Sequence, residues 1–133
     1  MNLTFETNFL VLPKHANHHF PLMFGGEFFS EMDLCAVSCV ERFLKDSPTC
    51  TSAITHKFTG EFLKPPYVGD LIYLEAEILE TRNKSIRLNV TAKRDENDVL
   101  AKVEFVYISI KNADTVKDKP EFLPYENHKI QIN

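Results

Sequence analysis

Two hydrophobic rhythms divide this chain. Thr4–Leu12 is an apolar run that closes at Pro13 and predicts a strand, and Lys14–Phe24 is a loop rich in His. Gly25-Gly26 then opens a helical pattern that runs to about Lys45, where Ser47-Pro48 ends it. Beyond that point the period becomes two. Ser52–Leu63, Asp70–Thr81, Lys84–Arg94 and Val99–Ile110 each read as strands, with Leu74/Ala76/Ile78, Ile86/Leu88/Val90/Ala92 and Ala101/Val103/Phe105/Tyr107 as apolar faces. Pro65-Pro66 with Gly69-Asp70, Arg82-Asn83-Lys84 and Asp95–Asp98 supply the turns between them. One long helix with a strand before it and four after it predicts an α+β fold, with the helix against one face of a curved antiparallel sheet of about five strands. The polar, Pro-containing stretch 112–133 reads as an extension of a single domain spanning 1–133.

Composition narrows the function classes. The 133 residues carry 15 Lys+Arg against 19 Asp+Glu, a net charge of −4, so a general nucleic-acid coat is not expected. With 44% hydrophobic residues and eleven Phe the chain can bury a core, yet no apolar stretch approaches the ~18 residues of a membrane span. Met1–Asn8 shows no basic-then-apolar signal, so a cytoplasmic location is expected. Cys35, Cys39 and Cys50 then read as reduced thiols, and the Asn-x-Ser/Thr triplets at Asn2, Asn83 and Asn89 as chance matches.

The helix carries one misplaced acid. Glu27, Glu31, Ser38, Arg42 and Lys45 share one face, a solvated stripe, while Phe28, Phe29, Met32, Leu34, Cys35, Ala36, Val37, Cys39, Val40, Phe43 and Leu44 make the remainder apolar. Asp33 falls roughly 120° from the centre of that stripe, in the row of Val37, Val40 and Leu44. An acid there is hydrogen-bonded, paired, or kept for chemistry; the plain alternative is a carboxylate that reaches solvent or a backbone N–H at the helix edge. Phe24-Gly25-Gly26 at the helix start would let a ligand approach free N–H groups, or is simply a tight turn. Lys14-His15-Ala16-Asn17-His18-His19 holds three His without Cys or carboxylate at ligand spacing, so no metal is expected.

Several motifs in order resemble the hotdog-fold acyl-CoA thioesterases. They are Ala16-Asn17-His18-His19 after Leu12-Pro13, Phe24-Gly25-Gly26-Glu27, Met32-Asp33, Phe62-Leu63-Lys64-Pro65 with Val68-Gly69-Asp70, and Ala101–Val106, covering roughly residues 5–111. The resemblance implies a long central helix in a curled sheet, a homodimer or a trimer of dimers, and hydrolysis of fatty acyl-CoA with coenzyme A only as part of the substrate. By that match Asp33 is the catalytic acid, Asn17 the loop amide that places water or thioester, and Gly25 and Gly26 the turn whose N–H polarises the carbonyl. The Asn-to-Gly segment departs from the family pattern, because Phe20 and Pro21 fill it and Asn17 stands eight residues before Gly25.

Eight residues also separate Gly25 from Asp33, about 12 Å along a helix axis. One carbonyl carbon does not reach both, so the turn of one protomer is expected to work with Asp33 of its partner. Phosphate recognition by an acidic protein requires a basic rim. Lys57, Lys64, Arg82, Lys84 and Arg87 are candidates, with Phe24 and the turn Asn83-Lys84-Ser85 completing the expected substrate contacts. Two other readings stay open. His19-Phe20-Pro21 with Asp33 is similar to the 3-hydroxyacyl dehydratases of the same fold, without their later Pro-x-x-Pro-Gly. The other is a hotdog subunit that binds acyl-CoA without turnover.

Overall fold

Alternation of apolar and polar positions closes the second half of the chain into one sheet. The computed structural model describes residues 3–17, 19–50 and 52–111, and the predicted extension 112–133 lies outside them. Its elements are β1 (Thr4–Leu10), a 3-10 turn (Pro13–His15), α1 (Gly25–Leu44), β2 (Ser52–Phe62), β3 (Leu71–Thr81), β4 (Ser85–Lys93) and β5 (Val99–Ile110). The sheet order is β1-β3-β4-β5-β2, antiparallel throughout. This is the hotdog fold that the resemblance implies. The expected apolar faces of β3, β4 and β5 are all buried.

The helix lies across this face and touches every strand. Phe28, Met32, Cys35, Ala36, Cys39, Val40 and Leu44 form its buried stripe, spaced by three and four as one helix face requires. A fully buried Met or Val contributes about 1.5–3 kcal/mol over leaving it exposed, so this stripe anchors α1. Cys35, Cys39 and Cys50 are all buried, and burial pushes the Cys39 thiol up to about 11. Leu34, expected among the packed residues, is 59% exposed on the opposite side, while Glu31 and Ser38 of the expected solvated stripe are half-buried. The Ser38 hydroxyl satisfies itself on the Leu34 carbonyl at 2.8 Å.

β1, β2 and β4 end earlier than the pattern predicts, and in the first two the backbone finds another partner. β1 stops at Leu10: the Val11 N–H goes to the Asp70 carbonyl, and the Leu12 N–H is taken by His15 Nδ1. β2 stops at Phe62, since the N–H groups of Leu63 and Lys64 both turn to the Leu100 carbonyl.

The sheet thus has two distinguishable ends. At the loop end lie Phe62, Leu71 and Val99 with the connections 11–24 and 63–70; at the turn end lie Ser52, Thr81, Ser85 and Ile110. The helix runs from the loop end, where a Gly25 Cβ would meet the Phe62 ring at 3.7 Å, towards the turn end, where Glu41 accepts from Ser52.

Candidate active site

Asp33 sits two turns into α1, half-buried, facing β2 and β5. Thr55 Oγ1 donates to its Oδ1 at 2.9 Å, and the Tyr107 hydroxyl donates to the same oxygen. The acid is therefore hydrogen-bonded by two side chains from two strands. Tyr107 is fully buried, and burial first, then the Asp33 contact, holds its phenol far above the usual range. It remains protonated and acts as a donor.

A bulge makes this geometry possible. In the β2–β5 ladder Thr55 pairs with Tyr107 and Lys57 with Val106, so His56 is one residue too many on β2. The extra residue reverses the alternation. Thr55 faces the helix on one side of it, and on the other side Phe58 and Phe62 do so, their rings 4.6 Å and 4.9 Å from Phe29 and Phe28. Phe29, Phe58, Gly60, Glu61, Phe62 and Val103 line an apolar groove of about 340 Å³ there.

The other candidates gather at the loop end. Phe24 has extended backbone (φ −61°, ψ 136°) and no side chain caps the first turn of α1, which begins on the exposed Gly25 and Gly26. A Cβ on Gly26 would come within 2.7 Å of the Phe24 ring, an exposed side chain that can swing aside. Asn17 and Phe24 share a cavity of about 280 Å³ with Lys14, His15, Ala16 and Glu27. His18 lies outside the described residues. The loop rests on the 63–70 connection through Met23 N–H to Pro66 O and Val68 N–H to Pro21 O. That connection is clamped in turn by Arg94, which bonds the Pro65 carbonyl at 3.0 Å, pairs with Asp70 at 3.2 Å and stacks on Tyr67.

The expected site residues therefore fall into two groups. Asn17, Phe24, Gly25, Gly26 and Lys64 belong to the loop end, whereas Asp33, Asn83, Lys84, Ser85 and Arg87 are nearer the turn end. There Ile86 pairs with Tyr107 and the Ser109 N–H bonds the Lys84 carbonyl. Of the expected basic rim, Lys64 pairs with Asp98 at 2.7 Å, Arg82 with Glu80 at 2.6 Å, and Arg87 with both Glu80 and Glu104. His19 meets Phe20 edge-on and does not line the Asn17 cavity. Among the described residues no three His, Cys, Asp or Glu side chains converge as a metal site, and no helix is long and apolar enough to cross a membrane.

Comparison with known proteins bears on this arrangement. The family model described as "Thioesterase superfamily" matches residues 20–101. Acetyl-coenzyme A thioesterases of Rattus norvegicus and Mus musculus are each 35% identical over 81 residues, 61% of this chain; the match spans only 14% of the length of each relative. An acyl-CoA hydrolase from Staphylococcus aureus, solved with butyryl coenzyme A, coenzyme A and coenzyme A disulfide, superposes with a TM-score of 0.71 at 22% identity, over 91% of this chain and 71% of its own. A Streptococcus mutans protein bound to acetyl-CoA gives 0.70 at 18% identity, over 84% and 85%. These two likenesses concern the fold.

Proposed function

The chain belongs to the thioesterase superfamily, and from that premise we propose that it hydrolyses a fatty acyl-CoA to free acid and coenzyme A. Asp33 is the general base. Its carboxylate takes a proton from water as the water oxygen attacks the thioester carbonyl carbon. Free N–H groups at Gly25-Gly26 stabilise the oxyanion, the C–S bond breaks, and the coenzyme A sulfur leaves to be protonated. A positioned base accelerates such a step by roughly 10²–10⁴ and one oxyanion donor by about 10²–10³. Asn17, in the cavity beside that turn, orients the thioester or the water.

The two halves of this chemistry lie some 12 Å apart along one helix, and the edge strand suggests how they meet. β2 is eleven residues long, lies at the sheet edge and is exposed from His56 to Phe62, with Phe58 at 58%. An edge so long and exposed is an unfinished ladder. Antiparallel pairing of β2 with its copy about a two-fold axis would set the loop end of one protomer beside the turn end of the other. The glycine turn would then face the partner's Asp33. The homodimer is the working unit in this reading, and a trimer of dimers is compatible with it. Phosphates of coenzyme A would have to compete with Asp98, Glu80 and Glu104 for Lys64 and Arg87, and Lys84 with the Asn83–Ser85 turn would complete the contacts. A cytoplasmic enzyme of fatty acyl-CoA turnover is the setting that fits.

The observation that carries the proposal is the Asp33 carboxylate, half-buried and fixed by two strands. Thiol release measured across acyl chain lengths tests it. The wild type should liberate coenzyme A, and Asp33→Ala should lose about 10²–10⁴ in kcat while sedimenting as the wild type does. Undiminished turnover in that variant refutes the assignment. Tight coenzyme A binding without hydrolysis selects the non-catalytic binder, and hydration of a crotonyl thioester without thiol release selects the dehydratase.

A further inference from the structure

We infer that Tyr107 is a positioning residue that, with Thr55, determines which oxygen of Asp33 takes the proton. The inference rests on the hydrolase reading above and assigns a role to a residue that reading does not use. Both donors converge on Oδ1, Thr55 from β2 at 2.9 Å and Tyr107 from β5. The Tyr107 hydroxyl also lies 3.0 Å from the main-chain carbonyl of Asp33, so one phenol touches both ends of the residue and resists rotation of its side chain. Neither Thr55 nor Tyr107 engages Oδ2. That oxygen is left to receive the water proton, while Oδ1 serves as the anchor.

Packing alone does not call for this hydroxyl. Tyr107 is fully buried, its ring 6.0 Å from that of Phe105 and its backbone in register with Ile86 and Thr55. A phenylalanine would fill the same volume. A buried phenol is desolvated at a cost unless an acceptor repays it, and here the acceptor is the acid itself. Both donors come from strands, so the carboxylate is aimed by the sheet rather than by its own element. Misaiming a catalytic group by an ångström costs up to about a hundredfold in rate.

Tyr107→Phe tests the inference, because it removes one oxygen and keeps the ring. The expected result is a kcat lower by about ten- to a hundredfold, an unchanged KM, and a cooperative melt showing an intact fold. A loss spread over KM and stability with kcat preserved would mean a merely structural hydroxyl and overturn the inference. A second readout does not need turnover. The wild-type phenol proton, shielded from exchange and bonded to a carboxylate, should give a downfield proton resonance that is absent in Tyr107→Phe and displaced in Asp33→Ala. A resonance indifferent to Asp33→Ala overturns the contact. Absence of thiol release from the wild type would instead sink the hydrolase reading, and the resonance would still report whether Tyr107 holds Asp33.

Discussion

Gly60 shows how tightly single residues are fixed beside the site. A Cβ there would lie 2.3 Å from the Lys102 carbonyl oxygen and 2.6 Å from the Val103 Cα, both backbone atoms that cannot step aside. Gly60→Ala should therefore destabilise the fold by about 1–3 kcal/mol, read as a lower urea midpoint at unchanged slope. Asp33 is legible from helical phase alone, because a charge among Val37, Val40 and Leu44 breaks a 3.6-residue pattern. Its partners are not. Tyr107 passes as one more apolar residue on the inner face of β5, and nothing in the alternation marks its hydroxyl as aimed. Thr55 escapes because strand alternation loses its phase at a bulge, and no residue type announces one at His56. The basic rim is the converse case: Lys64 and Arg87 are legible as cations, but composition does not reveal that Asp98, Glu80 and Glu104 already hold them.

At the scale of elements their order along the chain is readable, and their ends are not. All five strands and the helix follow from the change of period, whereas β1 and β2 stop early for backbone partners supplied by the 69–70 loop and by Leu100. Those contacts join segments far apart in sequence, which local patterns do not record. β2 itself carries a prediction. Phe58 is more than half exposed on the open edge, so Phe58→Glu should leave the protomer folded, since that side chain is not fully interior. The charge should oppose β2 pairing. Sedimentation is expected to show a monomer at concentrations where the wild type is dimeric, with thiol release lost in step. A variant that stays associated would place the interface elsewhere.

The proposed chemistry is divided between two ends of one sheet, and association is what that proposal asks to reunite them. The division permits a direct check. Asn17→Ala and Asp33→Ala each disable both composite sites of a homodimer, but a mixed dimer keeps one site with neither change. Mixing the two inactive proteins under conditions of subunit exchange should thus restore about a quarter of wild-type turnover. No recovery after demonstrated exchange would mean that each site is built within one protomer. The two-ended layout is visible in the sequence only as the eight-residue interval between Gly25 and Asp33. Which strand lies at the open edge emerges only with the sheet order.

The supernumerary residue at His56 has a consequence for how such a protein can change. It cuts one strand into two independent rulers: the stretch up to Thr55 sets the hydroxyl that bonds Asp33, and the stretch from Phe58 onward sets the rings along the open edge and the apolar groove. Deleting that residue would turn the second ruler over and expose every ring it carries. Leaving it in place would let the rings that line the groove be exchanged while the contact between Thr55 and Asp33 stays untouched.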